Sequence, residues 1–291
     1  MPKMNRRRFL AALGATGAAA ATYGFGVEPR RLEVTRHQIG TRSAATPQPL
    51  VLAQITDLHI HRVGREHRAI AAHLAEIRPH AILLTGDSVE DARDLPVLDE
   101  FLSLLDPHTP KYAIMGNWEH WGGADPDRMR AVYARHGGRL LLNETVVHTH
   151  AGRRLALTGL DDPRGGMPDL RRALHAAAPA DARLLLAHSP AYRDRLNADA
   201  ADAVVAGTRV ARGVADEAAR FVAMLSGHTH GGQVAPFGVA LILPPGSGRY
   251  ARGWFRDAGQ VPLFVSRGIG ESMLPVRLGS VPELAVHTVW V

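Results

Sequence analysis

Gly227-His228-Thr229-His230-Gly231-Gly232 comes one serine after the apolar run Phe221-Val222-Ala223-Met224-Leu225. Five consecutive apolar residues read as a buried strand. Beyond it, two histidines stand two apart between glycines, which allow backbone angles and close approaches that a Cβ blocks. In a continued strand both imidazoles point to one side; at a sharp glycine turn they fan out around a centre. Neutral imidazole is the commonest protein metal ligand. The stretch is therefore a candidate metal site at the carboxyl end of a strand. The alternative is a polar turn that holds two histidines by chance, because two histidines alone do not complete a site.

Upstream the same pattern recurs. The apolar run 50–56 stops at Asp57-Leu58-His59, 81–85 at Gly86-Asp87, 112–115 at Gly116-Asn117, and 182–187 at His188. Five strands thus end on metal-competent side chains: Asp57 and His59, Asp87, Asn117, His188, and His228 with His230. In open α/β sheets, loops converge beyond the carboxyl ends of strands and build sites there. Helical spacing fills the intervals 65–77, 95–105 and 125–136, the last with Asp125 as N-cap and Pro126 at its first position. Farther along, 145–149 and 154–160 read as a hairpin around Gly152, and 169–177 as a helix. Short strands are expected at 31–39, 239–243, 263–266 and 284–291, with a linker at 41–49; 192–216 shows no clear period. The class is α/β, without an internal repeat.

Of 291 residues, 46% are hydrophobic and 21% charged, which suits a globular protein of one large α/β domain or two small ones. The absence of cysteine excludes disulfides, thiolate ligands and a cysteine nucleophile. The net charge of +6 is concentrated at the start. Lys3, Arg6, Arg7 and Arg8 precede any acid, and without them 30 bases face 28 acids. A nearly balanced body with no basic stripe argues against nucleic acid as a partner.

Asn5-Arg6-Arg7-Arg8-Phe9-Leu10 opens an alanine- and glycine-rich run to about Ala21. A basic segment followed by an apolar one is a secretory leader. The paired arginines with Phe-Leu resemble a twin-arginine signal, with Asn5 where serine or threonine is usual. Residues 1–26 are thus expected to be a signal or anchor segment, 27–49 a first strand and linker, and 50–291 one catalytic domain. Alanines 18–21 offer a cleavage site, so cleaved and anchored forms both stay open.

Taken in order, D-x-H, G-D, G-N, a lone His and G-H-x-H resemble the calcineurin-like metallophosphoesterase superfamily over residues 50–291. Gly227-His-Thr-His-Gly-Gly-Gln-Val234, Ser266-Arg-Gly-Ile-Gly270, Leu274-Pro-Val-Arg277 and Pro282-Glu283 are similar to its exported bacterial branch of YkuE- and YaeI-like phosphodiesterases. The resemblance implies a four-layer α-β-β-α sandwich with two central mixed sheets. It implies one metal held by Asp57, His59, Asp87 and His230, and a second by Asp87, Asn117, His188 and His228. It implies hydrolysis of a phosphoester or diphosphate by a hydroxide bridging two divalent cations. A carboxylate such as Asp87 can bridge and offset both charges. Mixed N/O ligands without thiolate suit Mn, Fe, Zn, Co or Ni. Location and family analogy point to an envelope or lipid-linked substrate. A nuclease of the same superfamily and a non-catalytic metal- or phosphate-binding envelope protein are the rivals.

One departure matters. The superfamily usually has G-N-H followed by an acid, whereas this chain reads Gly116-Asn117-Trp118-Glu119-His120-Trp121. Tryptophan cannot protonate a leaving group. Either His120 takes that role, or the leaving group is acidic enough to need none. Arg249 and Arg267 are candidate phosphate contacts, since the guanidinium fork suits phosphate oxygens. Asp161 and Asp162 are turn residues or orienters of a ligand. Trp118, Trp121 and Trp254 are core residues or an apolar rim. His61 is expected on a loop surface, and His67, His73, His80 and His175 on solvated helices or turns.

Overall fold

A computed structural model describes residues 6–42, 48–175, 178–196 and 221–290. Asn5, most of the 41–49 linker and most of the 192–216 stretch lie outside the described residues. Twelve strands are described: β1 (Glu33–Ile39), β2 (Leu50–Ile55), β3 (Ala81–Thr85), β4 (Lys111–Ile114), β5 (Gly138–Leu140), β6 (Glu144–His150), β7 (Arg153–Gly159), β8 (Ala182–Leu186), β9 (Phe221–Ser226), β10 (Gly253–Phe255), β11 (Leu263–Val265) and β12 (Glu283–Val289). They form two six-stranded mixed sheets, ordered β1-β12-β2-β3-β4-β5 and β10-β11-β9-β8-β7-β6.

Continuous apolar runs become strands covered on both faces. All five residues of β3 and of β8 are buried. Alternate side chains then serve different layers. Leu83 joins Leu52, Leu157, Leu184 and Leu225 between the sheets. Ile82 and Leu84 face outward onto Ile70, Leu74, Leu98, Phe101, Met129 and Tyr133. These belong to α2 (Arg65–Ile77), α3 (Leu95–Ser103) and α5 (Pro126–Arg135). On the far side, Leu185, Met224 and Leu263 pack on Leu170, Ala173, Tyr192 and Leu196. The order is helices, sheet, sheet, helices, the expected four-layer α-β-β-α sandwich.

Local signals set the helix ends. Asp125 accepts from Arg128 N at 2.9 Å and caps α5. Arg78 closes α2 in the left-handed conformation, and Pro79 then stops it. The hairpin forms as expected, β6 antiparallel to β7. The strand expected at 239–243 is absent. These residues join neither sheet, and Val239, Leu241 and Ile242 stand in solvent. The short strands β5 and β10 and a one-turn helix α4 (Asn117–Trp121) carry too few residues to show a period. His67 is not solvated: it is 6% exposed, accepts from Gly64 N and packs edge-on against Phe101. Trp254 packs with Phe264 and His287 rather than at a rim.

Before the first sheet, α1 (Arg6–Thr22) is exposed along most of its length. The chain is packed again from Gly24, whose carbonyl accepts from Arg277 N at 3.0 Å. Buried Glu28 accepts from Gly279 N and Ser280 N. The expected boundary at residue 26 thus falls inside a folded stretch.

His287, fully buried on β12, lies 3.0 Å from Gln54 Oε1. Burial, then the nearby His37, push its imidazole from an ordinary 6.5 down to about 3. The unfolded chain takes this proton up first as pH falls. Its contribution is therefore complete above pH 6.5 and is lost as pH falls through the window towards 3, at about 1.4 kcal/mol per pH unit. Urea unfolding of His287→Leu between pH 6.5 and about 5 is expected to show a pH slope shallower than wild type by about that amount; an unchanged slope would contradict it.

Candidate dinuclear metal site

β2 and β3 are parallel neighbours in the first sheet, and β8 and β9 in the second. Their carboxyl ends meet at one pole, where two buried groups form: Asp57 with His59 and His230, and Asp87 with His188 and His228. Within each group the potential ligand atoms lie within 4.8 Å of one another. Asp87 adjoins both. Its Oδ1 accepts from Trp118 N at 2.9 Å, leaving Oδ2 at 3.0 Å from His188 Nε2 and 3.8 Å from His59 Nε2.

Each imidazole shows an acceptor to one nitrogen and the cluster to the other. His188 Nδ1 faces Thr85 O at 2.8 Å, and His230 Nδ1 faces Gly270 O at 3.1 Å. His59 Nδ1 lies 2.9 Å from Glu90 Oε1. His228 is reversed, with Nε2 2.9 Å from Pro245 O. The inward nitrogens converge: His59 and His230 meet at 3.1 Å through Nε2, and His188 Nε2 lies 3.3 Å from His228 Nδ1. An outer acceptor fixes the tautomer and leaves an inward lone pair, the arrangement that metal-ligating histidines adopt.

The donor set fits two divalent cations. Asn117, first residue of α4, is 2% exposed, and its Oδ1 is buried with no hydrogen-bond partner among the described residues. A buried oxygen rarely stays unpaired, and an amide oxygen suits a hard or borderline cation.

Unusual backbone brings the ligands together. Asp57, His59, Asp87, His228 and His230 all have φ between 43° and 74°. Side-chain-bearing residues seldom adopt this left-handed region, and it costs about 1–2 kcal/mol each. The loops hold one another in place. Asp57 N donates to Gly86 O, and His59 N to Asp87 O, both at 3.0 Å. Gly227 must be glycine for space: a Cβ there would lie 2.1 Å from Thr56 Oγ1 and 2.4 Å from Asp57 Oδ2.

Electrostatics follow burial. Asp57 is raised above the usual carboxylate range, by burial first. Burial also opposes charge on Asp87 and His188, but their mutual attraction outweighs it: Asp87 is pulled down and His188 pushed well above 6.5. His230 is driven well below 6.5 by burial and by its neighbours His59 and Arg277.

Several supporting residues went unassigned in the sequence. Buried Glu119 accepts from Gly116 N, Asp87 N and Ser88 N, tying the two loops that carry Asp87 and Asn117. Burial, then the Asp87 charge, raise it to about 7. Its only sequence signal is the acid that follows the G-N motif. Arg277, fully buried, donates to Arg267 O and Ser280 O at 2.9 Å and to Gly270 O. It thereby holds the carbonyl that faces His230. The motif around it was visible, but not its role. Glu90 gave no signal.

The remaining candidates lie as follows. His120 Nε2 is 2.6 Å from Asp161 Oδ1, which raises its pKa. Trp118 stands edge-on to His59 at 6.0 Å and to Trp121 at 5.5 Å. Asp162 accepts from Ser189 N and Oγ, next to His188. Arg249 pairs with Asp257 at 2.7 Å and lies over Tyr250. Arg267 pairs with Glu33 at 2.7 Å and lies 3.5 Å from Glu283. Both arginines are thus held by carboxylates. Exposed His61 spans Glu90 and Asp94. A groove of about 420 Å³ opens beside the cluster, lined by His59, Glu90 and Arg62 on one wall and Phe25, Met273 and Leu274 on the other.

The sequence model of a family described as calcineurin-like phosphoesterase matches residues 50–232. YkuE of Bacillus subtilis (strain 168), an uncharacterized metallophosphoesterase, is 28% identical over 99% of this chain and 98% of its own. Phosphodiesterase YaeI of Escherichia coli (strain K12) is 28% identical over 97% of this chain and 98% of its own. The solved 5'-nucleotidase precursor from Thermus thermophilus overlaps 84% of this chain and 54% of its own, with 12% identity and a TM-score of 0.46, too slight a likeness to carry an argument.

Metal binding can be read directly. Mn²⁺ added to metal-stripped protein is expected to stabilise the fold, by about 2.7 kcal/mol per occupied site at a hundred times Kd, and so to raise the melting midpoint. Asp87→Asn, which weakens both groups at once, is expected to lose more than half of that gain and to bind fewer ions by elemental analysis. Gly227→Ala is expected to cost about 1–3 kcal/mol through overpacking and to lower metal occupancy. Unaltered occupancy in both variants would remove these residues from the site.

Proposed function

This chain belongs to the calcineurin-like phosphoesterase family, and we propose that its reaction is hydrolysis of a phosphodiester or diphosphate with an acidic leaving group, on an envelope or lipid-linked substrate outside the cytoplasm. That it is a metal-dependent phosphoester hydrolase rests on the family and on the two ligand groups. The single observation behind the reading is the convergence of four imidazoles on the buried pair Asp57 and Asp87, three of them hydrogen-bonded outward to backbone carbonyls and the fourth, His59, with Nδ1 2.9 Å from Glu90 Oε1. When bound, two divalent cations supply the charge that acidifies a water and offsets charge on phosphate oxygens.

The chain's own residues do the rest. Asp57, His59, Asp87 and His230 would hold one ion, and Asp87, Asn117, His188 and His228 the other. Thr85 O, Gly270 O, Glu90 and Pro245 O hold the imidazoles in position. Trp118 walls the His59 side with an apolar ring and offers no transferable proton. His120 is about 200° around α4 from Trp118 and is bound to Asp161. It therefore does not occupy the Trp118 position, which favours a leaving group that departs unprotonated. The name of YaeI supports a diester. A second reading has its own observation: Asp161, 2.6 Å away, raises the pKa of half-buried His120 and so favours its acid form.

The export reading rests on Arg6-Arg7-Arg8-Phe9-Leu10 and on the apolar α1 that follows. Engagement of the twin-arginine machinery, residence on the outer side of the cytoplasmic membrane and attachment to it are parts of the same proposal.

Mn²⁺-loaded protein is expected to hydrolyse bis-p-nitrophenyl phosphate, with Asp87→Asn reducing the rate by more than about 100-fold, the upper end for removing even an outer partner of a ligand. His120→Ala is expected to cost less than tenfold on both aryl and alkyl esters. A loss of about 10²–10⁴-fold confined to alkyl esters would install His120 as the acid. Full metal occupancy with no turnover of any phosphoester would overturn the reading.

A further inference from the structure

Two loops stand beside the metal groove, residues 234–243 and 271–278. Gln233 joins them: its Nε2 donates to Ser272 O and Leu274 O, and its Oε1 accepts from Ser272 N. The tips carry six apolar side chains that no described residue covers: Phe237, Val239, Leu241 and Ile242 on one loop, Met273 and Leu274 on the other. Phe237 is 104% exposed and Met273 89%. Both hold left-handed backbone, at φ 55° and 65°, where glycine or asparagine is the low-cost choice. Strain and exposure thus coincide at the two tips. Contiguous apolar surface of this kind marks an interaction site.

The start of the chain says what covers it. Gly24 packs on Val276 and Leu278, and its carbonyl accepts from Arg277 N. Two residues earlier, at Thr22, α1 ends. Most of it lies in the apolar stretch Leu10–Arg30, which by length and composition could cross a membrane; from Gly24 on that stretch is packed on the body, which leaves α1 as the part free to enter a bilayer. A bilayer that took up this helix would meet the protein at Gly24, beside the loop tips. Phe25, Met273 and Leu274 also line the groove, so the same surface reaches its mouth.

We infer that the 234–243 and 271–278 loops dip into the phospholipid surface that holds α1, setting the mouth of the metal groove at the headgroup layer. Phe237 and Ile242 enter the interfacial region, where the free-energy gain scales with buried apolar area. The surface goes beyond the proposed reaction and stands on the loops and α1 alone. It also gives a lipid-linked phosphoester a short path from the bilayer to the ions.

The chain has no cysteine, so single labels are clean. Full-length Ile242→Cys carries an environment-sensitive fluorophore in phosphatidylethanolamine–phosphatidylglycerol vesicles. His108→Cys, on the exposed turn before β4 at the opposite pole, is the control. The Ile242 probe is expected to shift to the blue and to be quenched by nitroxide lipids, and the His108 probe to do neither. A water-like Ile242 probe on vesicles that carry the protein overturns the inference. So does failure of the full chain to enter vesicles. A blue shift without lipid that grows with protein concentration assigns the loops to a second copy and overturns it as well. Phe237→Ser with Ile242→Ser is expected to keep full turnover of soluble bis-p-nitrophenyl phosphate in detergent while losing at least tenfold on a vesicle-borne phosphoester. Equal losses on both substrates count against docking. Wild type inactive on the soluble diester would sink the reaction instead, and the fluorescence would still decide the docking.

Discussion

Two carboxylates, Asp57 and Asp87, are buried side by side at the ends of adjacent parallel strands. Burying charge without a partner is expensive. The nearest guanidinium, Arg277, donates to backbone carbonyls instead. What surrounds the pair is a ring of imidazoles whose outer nitrogens are occupied and whose inner ones point at the carboxylates. Such a pocket is poorly balanced by protein groups alone: His188 is driven up where Asp87 outweighs burial, and His230 is driven down by burial and then by His59 and Arg277. The donor set fits two divalent cations, which would supply the missing charge.

The same constraint explains the backbone. Residues two apart can serve different ions only if the chain turns sharply between them. The sequence therefore places five ligand residues in left-handed conformations and seats glycines against them. Strain of this kind persists only where the surroundings over-determine it. The three apolar clusters hold the strands, Glu119 laces two of the loops, and Arg277 with Ser280 braces the third, the Ser280 hydroxyl donating to His230 O at 2.6 Å. The polar interior near the ions is fastened piece by piece to a dry sandwich.

The loop from Arg277 to Ser280 is where separate parts of the molecule meet. It braces His230 on one side and receives Gly24 and Glu28 on the other. The beginning of the chain is thereby connected to the metal site, and the apolar helix emerges next to the groove. The helix α1, the groove and the exposed loop tips share one face because one short segment fastens them all.

Much of this was legible in the chain itself. Short, largely apolar runs read as strands covered on both faces, and five of them ending on Asp, Asn or His marked one pole of the fold. The family resemblance implied a grouping of ligands, and the structure gathers Asp57 with His59 and His230, and Asp87 with His188 and His228. Tertiary structure alone decided other things. Val239 to Leu243 has the composition of a strand, but it joins neither sheet, and only the assembled surface shows it as a tip beside α1. Glu90, Glu119 and Arg277 look like ordinary surface charges until the fold buries them or turns them towards a ligand. Arg249 and Arg267 read as candidate phosphate contacts in the sequence; folded, Arg249 pairs with Asp257 eight residues on and Arg267 with Glu33 at the far end of the chain. Residue type and spacing determine which chemistry a chain can perform. Which charges are paired, and what lies beyond each imidazole, depends on contacts between residues hundreds of positions apart, such as Arg267 with Glu33, and only the folded sandwich brings those together.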